Sequence, residues 1–210
     1  MSASRIGGLY AIVDDSASNP LELARQILEG RCRILQLRAK NLPARDFVAL
    51  AREIVKLCNK HNAFIIINDR VDVAMLAGAH GVHLGQDDLP LREARRLMGP
   101  DKRIGISTHN VEEALQAEQE GADYIGFGPL FGTKSKKDAQ DKKGLQALEA
   151  VKRKVTIPII AIGGINENNT PSAINAGASG VAIISAIADA PDVKKATSAI
   201  IDIIENCYEG

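Results

Sequence analysis

Apolar runs of four to six residues alternate with longer stretches whose apolar positions recur at helical spacing, and the alternation continues along the whole chain. Gly8 to Val13 reads as a first strand. Asn19-Pro20 caps and opens a helix whose apolar positions Leu21, Ala24, Ile27 and Leu28 share a face, and Gly30 closes it. Ile34 to Leu37 gives a second strand, and Phe47, Val48, Ala51, Ile54, Val55 and Cys58 a second helical stripe. Phe64 to Ile67 is apolar without a break, as expected of a strand buried on both faces of a parallel sheet. Val71 to Ala77 leaves room for a short helix before a fourth strand, Gly81 to Leu84.

The later units follow the same pattern. Leu91, Ala94, Leu97 and Met98 mark a helix stopped by Gly99-Pro100, and Ile104 to Ile106 is a fifth strand. Asn110, with Glu113 three residues on, forms an N-terminal cap for a helix that ends at Gly121. Tyr124 to Phe127 is a sixth strand, followed after a lysine-rich loop by a helix bearing Leu145, Leu148 and Val151. Pro158 to Ile162, a helix from Thr170-Pro171 to Gly177, and Val181 to Ile184 supply the last two strands and their connection. Val193, Ala196, Ile200, Ile203, Ile204 and Cys207 stripe a final helix. Eight strand-then-helix units predict an α/β chain folded as a single (β/α)8 TIM barrel, one domain over residues 1–210 and compact beside the roughly 250 residues usual for this architecture. A doubly wound dinucleotide-binding sheet is disfavoured because no G-x-G-x-x-G follows the first strand.

Composition narrows the function classes. The chain carries 26 basic and 26 acidic side chains, 3% aromatic residues and no Trp, so neither a global field nor stacking material recommends nucleic acid as a partner. Met1 to Arg5 is polar and no apolar stretch is long enough to span a bilayer, so a soluble, cytoplasmic protein without a membrane partner is expected. Cys32, Cys58 and Cys207 lack C-x-x-C spacing and fit reduced thiols; Arg31 and Arg33 flank Cys32, a setting that can lower a thiol pKa. Nothing in the sequence decides between a monomer and a homo-oligomer.

In a barrel of this kind the residues at the C-terminal strand ends build the site. Strand three stops at Asn68-Asp69 and strand four at Gln86-Asp87-Asp88, so Asp69 and Asp88 converge on one face, where two carboxylates suit a hard cation such as Mg2+. The competing account makes each Asp the N-cap of the next helix. After strand two, Gln36, Arg38 and Lys40 are spaced by two and face the same side of an extended chain, a candidate diphosphate clamp as opposed to a solvated basic edge. Strands seven and eight end in Gly163-Gly164-Ile165 and Ile184-Ser185-Ala186, the loops that in this fold commonly bind phosphate through backbone N–H groups. Ser107 closes strand five in position for a polar ligand contact. His83 and His109 lie near strand ends but read more simply as structural. Lys134 to Lys143 is charged, nearly free of apolar residues and placed where barrels carry lids, which makes it the candidate for disorder.

Taken in order, Gln36-Leu37-Arg38-Ala39-Lys40, Ile67-Asn68-Asp69, Val82 to Asp88, Gly105-Ile106-Ser107, Asp123-Tyr124 through Gly128-Pro129, Thr133 to Lys136, Ala161 to Ile165 and Ile184 to Ile187 resemble the thiamine-phosphate synthase family. The resemblance runs from Leu9 to about Ala188. It implies a transferase that joins 4-amino-2-methyl-5-(diphosphooxymethyl)pyrimidine to thiazole phosphate, or its carboxylated tautomer, releasing pyrophosphate. It further implies that Gln36 meets the pyrimidine and that Arg38, Lys40, Asn68 and Lys136 surround the diphosphate. Ser107 would lie beside the ring, Asp69 and Asp88 would hold Mg2+, and thiazole phosphate would rest on Thr133, Ser135, Gly164, Ile184 and Ser185. Arg38, Lys40, Lys136 and Ser107 carry the catalytic roles in that scheme, by a dissociative path through a short-lived pyrimidine cation. Where the family has Thr-x-Thr-Lys, this chain has Thr133-Lys134-Ser135-Lys136, keeping the hydroxyl and losing a methyl. A thiazole tautomerase-like isomerase and a non-catalytic phosphometabolite-binding barrel are the rival readings; neither requires the metal and diphosphate set.

Overall fold

The computed structural model describes residues 6–132 and 142–209. Eight parallel strands close into a barrel in sequence order, β1 (Gly8–Asp14), β2 (Ile34–Arg38), β3 (Phe64–Asn68), β4 (Gly81–Leu84), β5 (Arg103–Thr108), β6 (Tyr124–Phe127), β7 (Ile159–Ile162) and β8 (Gly180–Ile183), with β8 pairing back onto β1. Helices alternate with them: α1 (Pro20–Glu29), α2 (Ala44–Lys60), α3 (Val71–Ala77), α4 (Leu91–Met98), α5 (Val111–Glu120), α6 (Gly144–Lys152), α7 (Thr170–Asn175), a four-residue α8 (Ser185–Ala188) and α9 (Val193–Glu209). The predicted barrel is the observed one, and α8 is the element that the apolar spacing did not announce.

Period-two alternation divides the strand residues between two cores. Leu9, Ala11 and Val13, Leu35 and Leu37, Ile65 and Ile67, and their counterparts on the other strands face outward into a shell beneath the helices. Tyr10, Ile12, Ile34, Ile66, Tyr124, Ile160 and Ala182 fill the barrel interior, with Ile6 packed among them. Both strand faces are therefore apolar, which is why the strands read as unbroken hydrophobic runs. Phe47, Ala51, Ile54 and Cys58 bury one side of α2, and Leu91, Ala94 and Met98 one side of α4. Leu97 departs from its expected place: it is 54% exposed, turned away from the face that Leu91 and Met98 share.

Caps settle where helices begin. Asn19 accepts a hydrogen bond from the Glu22 N–H at 3.0 Å, and Asn110 one from the Glu113 N–H at 2.8 Å. Glu113 in return accepts from the His109 N–H and from the Asn110 amide, completing a reciprocal cap in which His109 is a structural partner. By contrast α3 and α4 have no side-chain cap, so capping accounts for neither Asp69 nor Asp88. Cys32 is fully buried and its thiol donates to the Ile34 carbonyl at 3.1 Å; burial pushes its pKa up to about 11, so its arginine neighbours do not activate it and it is the reduced thiol expected.

Candidate active site

Going up the barrel towards the C-terminal ends of its strands, the interior changes from apolar to polar. Above the Tyr10–Tyr124 level, the inward positions of β2 to β5 are Gln36, Arg38, Asn68, His83 and Ser107, while β7 and β1 supply Ile162 and Ile12, and Ile184 follows the end of β8. These residues, with Gly126, Ile160 and Ala182, line a narrow cleft that opens at the barrel mouth. One wall can hydrogen-bond and carry charge; the other is a smooth aliphatic surface. A flat heterocycle with a charged substituent suits such a cleft, since its face needs apolar cover and its edge needs partners.

Of the predicted site residues, Gln36, Arg38, Asn68, Ser107 and Ile184 meet in this cleft. β2 continues one residue further than expected, to Arg38, and β5 runs through Ser107, so these side chains stand on strand backbone held by its ladders. Arg38 is the register partner of Asp14 on β1, and their side chains form an ion pair. Burial would raise the Asp14 pKa, but hydrogen bonds from Ser16 and the Arg38 guanidinium outweigh it and hold the carboxyl below its usual range. Asp14 thus holds the Arg38 guanidinium at the edge of the cleft.

Lys40 lies past the end of β2 and is half exposed; its ammonium pairs with the Asp69 carboxylate. Asp69 follows β3, with its N–H on the His83 carbonyl at 2.8 Å, and adopts a left-handed backbone, φ 63°, unusual for a residue with a side chain. Asp88 accepts the Gly85 N–H at 2.7 Å across the loop after β4. Burial, and the charge of Asp69 beside it, raise the Asp88 pKa against the pull of that N–H and of Lys40. The two acids therefore do converge, as the strand-end spacing predicts. Among the described residues no cluster of three or more His, Cys, Asp or Glu forms a protein-only metal cage. The donor set suits an ion such as Mg2+, which accepts one or two carboxylates and completes its shell with water and substrate phosphate.

On the opposite side of the mouth, Ile162 of β7 pairs with Ala182 of β8; Gly163-Gly164 follow the first of these strands and Ile184 the second, with Ser185 opening α8. Gly163 and Gly164 have φ of 100° and 66°. A Cβ on Gly164 would come within 2.4 Å of the Gly132 carbonyl oxygen, and the loop after β6 is tied to β7 by Leu130 N–H to Ile162 O and Phe131 N–H to Gly163 O. These glycines seat that loop as well as exposing backbone. Thr133, Ser135 and Lys136 lie outside the described residues, as does all but Lys142 and Lys143 of the stretch from Lys134 to Lys143.

Beneath the cleft runs a chain of hydrogen bonds that sequence reasoning missed. The Gln36 amide nitrogen donates to the Tyr10 hydroxyl at 2.9 Å, Tyr10 meets the Tyr124 hydroxyl at 2.9 Å, Tyr124 meets His83 Nδ1 at 3.1 Å, and His83 Nε2 meets Ser107 Oγ at 2.9 Å. Gly105 sits in register between His83 and Tyr124, and its lack of a side chain is what lets the Tyr124 ring lie across β5. Burial raises the pKa of both phenols; Tyr10 raises that of Tyr124 further, and the hydrogen bonds of Tyr124 and Gln36 to Tyr10 only partly offset its burial, so both stay protonated.

The family model described as thiamine monophosphate synthase matches residues 9–187. Over 197 residues the chain is 47% identical to the thiamine-phosphate synthase of Chlorobium phaeovibrioides, covering 94% of each chain. It is 43% identical over 198 residues to that of Clostridium novyi, covering 93% of this chain and 97% of the relative. The solved structure of thiamine phosphate pyrophosphorylase from Pyrococcus furiosus superposes with a TM-score of 0.89 at 38% identity, covering 95% of this chain and 96% of that one.

Proposed function

This chain belongs to the thiamine monophosphate synthase family, transferases of thiamine biosynthesis that form thiamine monophosphate, and on that premise we propose how its residues share the work. The aminopyrimidine ring occupies the cleft, its face on Ile162, Ile184 and Ile12 and its edge towards Gln36 and Ser107. Its diphosphate extends to Arg38, Lys40 and Asn68, with Lys136 joining from the loop. Asp69 and Asp88 hold Mg2+, which supplies charge neutralisation to the leaving diphosphate when bound. Thiazole phosphate lies across the mouth on Gly164, Ile184 and Ser185 together with Thr133 and Ser135.

In the reaction the bond between the ring's exocyclic methylene carbon and the diphosphate oxygen breaks, with its electron pair leaving on pyrophosphate. The electron-rich aminopyrimidine delocalises the positive charge left on that carbon. The thiazole nitrogen then donates its lone pair to the carbon, forming the new C–N bond. No side chain forms a covalent intermediate; Arg38, Lys40 and Lys136 stabilise charge as it develops on the leaving group, and the cleft holds the acceptor in line.

The observation that carries this reading is the split lining of the cleft, polar on β2 to β5 and aliphatic on β7, β8 and β1, with an anchored arginine at the polar lip. Incubating the purified chain with both heterocycles and Mg2+ should yield equal amounts of thiamine monophosphate and pyrophosphate. A chain that isomerises the carboxylated thiazole without coupling it would overturn the proposal. No helix among the described residues is long and apolar enough to cross a membrane, which accords with a cytoplasmic biosynthetic role on small-molecule substrates.

A further inference from the structure

The buried chain from Gln36 to Ser107 has a direction, and its direction fixes what the cleft can recognise. An amide nitrogen can only donate, so the Tyr10 oxygen accepts from Gln36 and must send its own hydrogen elsewhere; its other partner is Tyr124. Tyr124, having accepted, donates its hydrogen to His83 Nδ1. In a neutral imidazole the proton then sits on Nε2, which donates to Ser107 Oγ. The Ser107 hydroxyl, with its oxygen already used as an acceptor, has its hydrogen left to give to the cleft, and Gln36, with its nitrogen turned down to Tyr10, has its carbonyl oxygen for the cleft. Protonated phenols are what such a chain requires, since each must pass on one hydrogen.

We propose that Tyr10, Tyr124 and His83 are positioning residues that set Gln36 as a hydrogen-bond acceptor and Ser107 as a donor, and thereby select a 4-aminopyrimidine over its 4-oxo counterpart. This rests on the function proposed above. The amino group donates to the Gln36 carbonyl and a ring nitrogen accepts from Ser107. In the 4-oxo ring an acceptor replaces the amino donor and the neighbouring ring nitrogen carries a proton, so both contacts are reversed. The ring cannot slide to a better register, because its neighbouring C5 carries the diphosphate held at Arg38. Nor, with His83 neutral, can one end of the relay adapt alone: among these five residues the reverse arrangement turns the Gln36 amide and moves every proton along the chain together. Gly105, paired with His83 on one side and Tyr124 on the other, leaves the space in which the two rings meet.

The test is calorimetric binding, with Mg2+ present, of the 4-amino and 4-oxo pyrimidine diphosphates to the full chain and to Tyr124→Phe and Tyr10→Phe, each of which keeps its ring and breaks the relay at a different link. The unaltered chain should prefer the amino compound by about 100-fold or more, as sites built around a substrate's polar edge do. Each variant should bring the ratio below about 10-fold, with the KM for thiazole phosphate unchanged. Equal weakening towards both diphosphates, or an unchanged ratio, overturns the proposal, since a purely structural role for the tyrosines would not alter discrimination. If the unaltered chain makes thiamine monophosphate but does not distinguish the two rings, the relay proposal fails and the function stands. If it makes none, the function fails as well.

Discussion

Arg38 and Asp14 are register partners on β2 and β1 and their side chains form an ion pair at the lip of the cleft. An arginine held at one end by a neighbouring strand loses little rotamer freedom when it meets a diphosphate, so part of the ordering cost is met on folding. Asp14→Ala should therefore raise the KM for the pyrimidine diphosphate by about 10-fold and leave the KM for thiazole phosphate alone. Steady-state kinetics with each substrate varied in turn would show it; equal changes in both would mean that Asp14 acts on the fold.

The paired acids carry a separate expectation. Asp69→Ala removes one carboxylate of the proposed Mg2+ site and should lower turnover by roughly 100-fold, the scale of one preorganised electrostatic contact, while shifting the Mg2+ dependence to higher concentration. Lys136→Ala should lower turnover on a similar scale, roughly 100-fold, without that shift. Magnesium titrations of both variants separate the roles, and near-normal turnover removes the residue concerned from the mechanism.

Stability should depend on pH through a residue far from the cleft. His80 accepts the Ile65 N–H on Nδ1 at 3.1 Å and packs edge-on against Phe64, which requires an unprotonated ring. Burial, then the nearby Lys102 charge, hold its pKa below the ordinary 6.5. The unfolded chain takes up this proton near pH 6.5 and the folded chain only at lower pH. The contribution is thus fully present above 6.5 and is lost as pH falls towards the depressed value. Urea unfolding between pH 7.5 and 5.5 should show stability declining on the acid side, and His80→Gln should flatten the decline. The same slope in the variant would assign the effect elsewhere.

Packing at Gly105 gives a fourth expectation. A Cβ there would come within 2.1 Å of the Tyr124 ring, so Gly105→Ala must displace that ring and should cost about 1–3 kcal/mol. Thermal melts should show a lowered midpoint, and a midpoint equal to that of the unaltered chain would mean that the ring has room to move.

The eight units were legible because the fold writes itself locally: each strand is an apolar run bounded by a polar end, and each helix shows its stripe. Strand ends drifted by a residue or two, which is how Arg38 and Ser107 turned out to be strand residues. Asp69 and Asp88 could be placed because consecutive parallel strands deliver their ends to one face. Tyr10 and Tyr124 could not, since they are 114 residues apart and each looks like core within its own strand. Only the closed barrel, which brings β1 and β6 into contact across its interior, makes them partners. Asp14 was hidden for a similar reason: its role depends on register, and β1 runs one residue past the apolar run. The signal that was available for the relay is Gly105 inside an otherwise bulky strand, a mark of close approach by something else.

At Asp69 the demands of a sturdy fold and of the proposed Mg2+ site point in opposite directions. Its backbone takes a conformation that suits glycine, and its charge lies beside a second acid that would be better off without it. Its ion pair with Lys40 offsets part of that cost. Breeding heat tolerance into such a barrel is therefore best aimed at the helical shell, leaving the uncomfortable aspartate where it is.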